Sequence, residues 1–440
     1  MDTAEQSDVL FSNIRVFDGV AERLSETCHV LVRDGVIETV AVRAPEVGPE
    51  VTVLDGGGRT LMPGLIDAHW HAAFANLPMS TLQLADAGYV AIAAAFGAGQ
   101  TLQRGFTSVR DAGGPVFGLK LAVDQGLTPG PRIYPSGAFI SQTAGHGDFR
   151  TLNEVPRGLC GHLSHAEIVG ASVIADGVPE VLRAVREQLM HGASQIKMMA
   201  GGGAASAYDP IDVTEYTEDE MRAGVEAAAN WGTYVLVHAY TPRAVQQALR
   251  AGVRCIDHGH LLDDTTVAMI AEHDAWWSMQ PFLDDEDAIP LENPVSRAKQ
   301  LKVIQGTETA YALAKKHGVK LAWGTDTLFD AKLATRQGAQ LVKMRNWFTP
   351  AEVLRMATST NARLLALSGE RNPYPGRLGV VQEGALADLL LVDGDPLADL
   401  ELLATPETSL NVIMKGGRLY KNTLPPTARP ESQGPAESGH

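Results

Sequence analysis

Apolar residues recur along the first sixty positions at the spacing of short strands, each closed by a turn signal. Val9, Phe11, Ile14 and Val16 run into Asp18-Gly19, and Val30-Leu31-Val32 is joined to Val36-Ile37-Glu38-Thr39-Val40 through Asp34-Gly35, a favoured hairpin turn. Val51-Thr52-Val53-Leu54, followed by Asp55-Gly56-Gly57-Gly58, adds a further strand and turn. The same texture returns at the far end, in Ala387–Val392 and Asn411–Tyr420. Neither half is large enough to bury a core of its own. The pattern therefore predicts one small β-sandwich assembled from residues 1–62 and 377–422.

Between these ends, over 63–376, alanine-rich helical stretches (Ala85–Gln103, Pro179–His191, Thr217–Asn230, Pro242–Ala251, Ala310–His317, Pro350–Ser359) alternate with short apolar runs. The runs are 65–68, 107–111, 132–134, 195–199, 234–238, 255–258, 276–279 and 321–326. Alternating β and α segments favour a parallel sheet, and eight units favour a closed (β/α)8 barrel of the TIM type. A doubly wound open sheet is the alternative, but no Gly-x-Gly-x-x-Gly follows an early strand. The expected class is thus α/β, a barrel carrying a small β-sandwich. The tail 423–440, rich in Pro, Gly, Ser and Glu, reads as disordered.

Composition narrows the function. Hydrophobic residues make up 45% of the 440 and charged ones 20%, enough for a sizeable core. A formal charge of −16 speaks against a nucleic-acid partner. Cys28, Cys160 and Cys255 are scattered and odd in number, so they predict neither a disulfide framework nor a Cys-x-x-Cys metal site. No run of about 18 apolar residues predicts a membrane span. The opening Met1–Gln6 lacks the basic and apolar segments of a signal peptide, so a cytoplasmic location is expected.

Candidate chemistry collects where strands end. His69 and His71 flank Trp70 at the end of the first barrel strand, and positions i and i+2 of a strand share a face. Alone, such a pair is equally well two half-buried polar residues. Lys197 lies on the fourth run, His238 on the fifth, His258 on the sixth and Asp326 on the eighth. The C-terminal strand ends of a barrel face one mouth, and nitrogen and carboxylate ligands meeting there suit Zn²⁺, with Mn²⁺, Co²⁺ or Fe²⁺ as alternatives. Lys197 is the odd member. Burial and nearby cations favour the neutral form of a lysine, and a neutral lysine can take up carbon dioxide as an anionic carbamate able to bridge two ions.

His69-Trp70-His71, Gln195-Ile196-Lys197, His238-Ala239, Asp257-His258-Gly259 and Gly324-Thr325-Asp326 together resemble the motifs of the amidohydrolase superfamily, from Ile14 to about Tyr420. Ser141–Asp148 and Ala200-Gly201-Gly202-Gly203 point to its imidazolonepropionase-like group, with prolidase-type dipeptidases and hydrolases of N-acyl amino acids and ochratoxin. The resemblance implies His69, His71 and Asp326 on one metal ion, His238 and His258 on a second, and N6-carboxylated Lys197 as bridge. It implies attack by a metal-bound hydroxide, with Asp326 as proton shuttle and His146 or Tyr240 as donor to the substrate oxygen. The implied substrate carries an amide or peptide bond next to a free carboxylate: a dipeptide, an N-acyl amino acid or an ochratoxin-like aryl amide. A cyclic amide or amidine hydrolase is the alternative activity, and a non-catalytic scaffold the alternative class. Homo-oligomers are implied as well.

Other positions carry lesser expectations. Trp70 points away from the histidines and reads as packing. Arg243, at a helix start, is either solvated or an anchor for a substrate carboxylate, and Asp111 reads as a loop-holding residue. The run Asp284-Asp285-Glu286-Asp287 reads as a solvated loop. Loops near 72–80, 141–165, 203–215 and 282–296 are expected to set the substrate.

Overall fold

The computed structural model describes residues 8–155, 157–206 and 208–425. The expectation for the tail therefore falls, from 426 onward, outside the described residues. The two chain ends do build one unit, an eight-stranded sheet. Its order is Arg418–Asn422, Leu410–Lys415, Leu389–Val392, Thr60–Pro63, Val9–Val16, Cys28–Arg33 and Val36–Ala41, with Thr52–Asp55 also paired to Val9–Val16. The predicted Asp34-Gly35 turn closes the hairpin, both residues having positive φ (47° and 75°). Val9–Val16 changes partners at an irregularity around Asn13 (φ 54°): Val9–Ser12 pair with Thr52–Asp55, and Arg15 and Val16 with Thr60 and Leu61. The seam between the two ends is antiparallel, Leu389 opposite Pro63 and Val392 opposite Thr60.

The central segment holds parallel strands buried on both faces, as apolar runs covered by helices require. Seven lie in the order Ser172–Ile174, Phe139–Ser141, Ile196–Met199, Val235–Ala239, Cys255–His258, Trp276–Met279 and Lys320–Trp323; three more are Leu65–Trp70, Phe106–Asp111 and Arg132–Pro135. Ser136-Gly137-Ala138 separates the last strand of the smaller sheet from Phe139–Ser141 of the larger. At the other margin the backbone N–H of Asp326 donates to the His69 carbonyl at 2.8 Å. All eight predicted runs contain strands; Phe139–Ser141 and Ser172–Ile174 are additional.

Each of the six predicted helical stretches is helical, one with a large correction, while Phe117–Asp124, Asp264–Glu272 and several shorter helices were not predicted. The stretch predicted as Ala310–His317 is the C-terminal third of a helix spanning Pro294–His317. Asn293 caps it, its side-chain oxygen accepting from the backbone N–H groups of Val295 and Ser296, and proline at the first turn needs no hydrogen-bond donor. Alternate residues of Leu389–Val392 serve two cores. Leu390 and Val392 pack with Met62, Phe106 and Trp323, while Leu389 and Leu391 pack with Val9, Phe11 and Val30. No described helix is long and apolar enough to cross a membrane.

Candidate active site

Asp67 fixes the first strand end to the last. Its carboxylate accepts from the backbone N–H groups of His69 (3.0 Å) and Thr325 (3.1 Å), from Thr325 Oγ1 (2.6 Å) and from Gln337 Nε2 (2.8 Å). Beyond it, His69 Nε2 and His71 Nε2 converge to 3.1 Å. Asp326 Oδ1 lies 3.3 Å from the first nitrogen and 3.5 Å from the second. His258 Nδ1 is 3.8 Å from Asp326 Oδ2. One ligand atom each from His69, His258 and Asp326 fits within a 4.8 Å cluster. The His258 ring stands 4.5 Å from that of His238, 4.8 Å from that of His69 and 5.2 Å from that of Tyr240, between ring centroids.

Two of these residues hold unusual backbone. His258 (φ 75°), the last residue of its strand, and Asp326 (φ 50°), three residues past the end of Lys320–Trp323, both sit in the left-handed region that side chains avoid. Such conformations persist where surrounding contacts over-determine them, commonly at functional sites. Behind the histidines sits Asp257, which the sequence reading quoted in a motif but gave no role. Its Oδ2 meets Lys197 Nζ at 2.9 Å and His69 Nδ1 at 3.1 Å, and Arg110 Nη2 donates to Oδ1 at 2.9 Å. The motif Asp257-His258-Gly259 was the available signal; the partners were not visible.

Electrostatics suit a cation. Burial lowers the His69 imidazole to about 4 and holds His238 and His258 well below the ordinary histidine range. Neutral rings leave nitrogen lone pairs available. Burial would raise the Asp326 and Asp257 carboxyls, but His69 and His71 outweigh it for Asp326, and Arg110 and Lys197 for Asp257. Both stay below the usual carboxylate range. Asp111 holds a loop, as expected, accepting from the backbone N–H groups of Ala72 (2.8 Å) and Gly113 (3.1 Å), while burial pushes its carboxyl up to about 7.

The strand ends open into a cavity of about 420 Å³, whose lining includes His146 and Tyr240 as well as the six predicted metal ligands. Phe74, Phe139, Phe149, Phe282 and Val303 make much of its wall apolar. All four expected loop regions contribute, joined by residues from 82–94 and 327–343 that the sequence did not single out. Arg243 stays outside this lining, exposed on the first turn of Pro242–Arg250. Trp70 packs among Ala94, Ala98 and Val109. The acidic run is exposed at Asp284, Asp285 and Glu286, as expected of a solvated loop, but it is also ion-paired: Arg297 with Asp284, Arg336 with Glu286 and Asp287, and Lys343 with Asp285 and Asp287, and Asp287 alone is buried, at 5% exposed.

Residues 60–419 match the model of the amidohydrolase family. The chain belongs to the amidohydrolase family. An ochratoxinase of Aspergillus niger is 33% identical to this amidohydrolase over 374 residues, 82% of this chain and 75% of that protein. The imidazolonepropionase of Deinococcus radiodurans is 26% identical over 410 residues, covering 90% and 92%. Among solved structures, a prolidase complexed with N-methylphosphonate-L-proline superposes with a TM-score of 0.85 at 36% identity, over 94% of this chain and all of that one. This amidohydrolase is therefore a hydrolase, with relatives that act on amide bonds.

Proposed function

We propose that the two parallel sheets are arcs of one (β/α)8 barrel, 63–376, capped by a sandwich from 1–62 and 377–422, and that its mouth hydrolyses an amide or peptide bond beside a free carboxylate. The observation that carries this reading is the approach of His69 Nε2, His71 Nε2 and Asp326 Oδ1 to within 3.1–3.5 Å. Two ring nitrogens facing each other beside a carboxylate form the donor set of a bound cation. His69, His71 and Asp326 would hold one divalent ion, zinc by donor type, and His238 and His258 a second, with Lys197 as carbamate between them. Bound there, the ions supply polarisation of the carbonyl and acidification of water.

The chain's own groups do the rest. Asp326 takes a proton from the attacking water and returns it to the leaving amine nitrogen. Tyr240, kept protonated because burial holds its hydroxyl far above the ordinary range, donates to the carbonyl oxygen as negative charge develops. His146, on the same cavity wall, supplies a second polar contact to the substrate. The apolar wall formed by Phe74, Phe139 and Phe282 fits a bulky acyl or aryl group, as in an N-acyl amino acid, a hydrophobic dipeptide or an ochratoxin-like amide.

Amine release from dipeptides, N-acyl amino acids and cyclic amides by zinc-loaded protein tests the proposal. Turnover should require a free carboxylate, and Asp326→Asn should lower kcat by about 10²–10⁴-fold, the range of general acid–base catalysis. Turnover of cyclic amides alone would replace this reading with an imidazolonepropionase-like one. A folded protein that takes up no metal would support the scaffold reading.

A further inference from the structure

His146 enters the cavity from the turn after Phe139–Ser141, and several elements confine its ring. It stacks on His238 with centroids 4.1 Å apart and planes at 25°. Gly203 closes another side: a β-carbon there would stand 1.8 Å from His146 Cε1, so only glycine admits the imidazole. Nδ1 lies 2.9 Å from Ser206 Oγ and 3.4 Å from Asp209 Oδ2. Asp209 is 2% exposed, and its Oδ2 also accepts from the Gly203 N–H at 2.6 Å. Lys299, on the helix Pro294–His317, donates to the backbone carbonyls of Ser206 (2.8 Å) and Asp209 (2.9 Å). The two acceptors are thereby tied to a rigid element.

The proton on this side of the ring can be assigned. Burial would raise the Asp209 carboxyl, but hydrogen bonds from His146, Ser206 and Gly203 outweigh it and hold the group below its ordinary value. An ionised carboxylate only accepts. Ser206 Oγ carries a single proton, for which the Asp209 carboxylate and the Gly203 carbonyl (3.3 Å) are both acceptors, so toward the ring the hydroxyl is free to accept. The ionised Asp209 carboxylate, 3.4 Å from Nδ1, therefore favours a proton on that nitrogen. Nε2 receives no hydrogen bond from the described residues.

We propose that Asp209, with Ser206, is a positioning residue that fixes His146 in the Nδ1–H form and so presents Nε2 to the substrate. The role rests on the reading above, in which His146 meets the substrate. The carboxylate behind the ring also stabilises positive charge on it while negative charge grows on the substrate oxygen in front. Asp209 itself touches neither substrate nor metal; it acts through His146.

Two measurements test this independently. In protein labelled with ¹⁵N-histidine, with the signal assigned by its absence in His146→Gln, the neutral His146 ring should report Nδ1–H in wild type. It should report a mixture of tautomers in Asp209→Ala/Ser206→Ala. An Nε2–H ring in wild type overturns the proposal whether or not any amide is turned over. In the kinetic cycle, Asp209→Ala should lower kcat/KM about 10–100-fold, the usual cost of losing a supporting hydrogen bond. The same change in a His146→Gln background should cost less than about twofold. Equal losses in both backgrounds would mean a structural role and overturn the proposal. Asp209→Asn retains an acceptor for the Gly203 N–H, and serves as the folded variant if the alanine does not accumulate. If the substrate panel is silent, the functional reading fails and the tautomer still decides for or against positioning.

Discussion

At the scale of single residues, the site separates into groups that advertise their chemistry and groups that do not. Histidines at strand ends are legible because few structural roles demand them there. Asp67, Asp257, Asp209 and Glu215 were not singled out, because a buried carboxylate's role depends on which distant group faces it. Lys197 illustrates both sides. Its presence among histidines was visible, but its pairing with Asp257 at 2.9 Å was not. If the proposed two-metal site holds, Lys197→Ala should lower the bound metal from two ions per chain towards one and remove most activity, with a short carboxylic acid restoring part of it. Full activity and full metal content by elemental analysis would remove the bridging role. Glu215 gives a test in pH. It is fully buried, its Oε1 accepts the His146 backbone N–H at 2.7 Å, and burial pushes its carboxyl up to about 8 from an ordinary 4.5. The fold thus favours the protonated form. Its stabilisation is complete below pH 4.5 and is lost as pH rises through 8. Melting temperature against pH should fall more steeply over that window for wild type than for Glu215→Gln, and parallel curves would refute the assignment.

Elements were legible in proportion to their length and to the clarity of their ends. The parallel strands declared themselves as apolar runs, since burial on both faces removes alternation. Phe139–Ser141 and Ser172–Ile174 are three residues each, too short to carry a pattern. The first part of Pro294–His317 fell in the stretch 282–296 expected to be a loop; here Asn293 and Pro294 are a cap and a first-turn proline. The acidic run was visible as charge, but Arg297, Arg336 and Lys343 reach it from other elements. The contact between Lys320–Trp323 and Leu65–Trp70 depends on Gly324, where a β-carbon would stand 2.4 Å from the His69 backbone nitrogen. Gly324→Ala should therefore cost about 1–3 kcal/mol, the usual penalty of overpacking. It would appear as a lower urea midpoint at unchanged slope, with weaker metal binding. An unchanged midpoint would show that the strands can separate without loss.

Over the whole molecule, the joining of the two chain ends was legible from their matching texture, and the reason is now visible in the seam. Leu390 and Val392 belong to the core beneath the parallel strands, and Leu389 and Leu391 to the core of the terminal sheet. One four-residue strand therefore couples two cores that could otherwise melt apart. A single calorimetric transition is expected, with calorimetric and van't Hoff enthalpies in agreement. Two resolved transitions would mean that the terminal sheet unfolds by itself. The bend of Val9–Val16 at Asn13 was not legible, because it depends on which of two parallel partners each half of the strand finds.

The seam also imposes an order on synthesis. Thr60–Pro63 leaves the ribosome early, but its antiparallel partner Leu389–Val392 follows only after roughly 330 further residues, about 15–65 s at ordinary elongation rates. During that interval the strand has one open edge, a row of backbone donors and acceptors able to pair with any extended chain nearby. The nascent protein is thus most exposed to mispairing until Leu389–Val392 emerges.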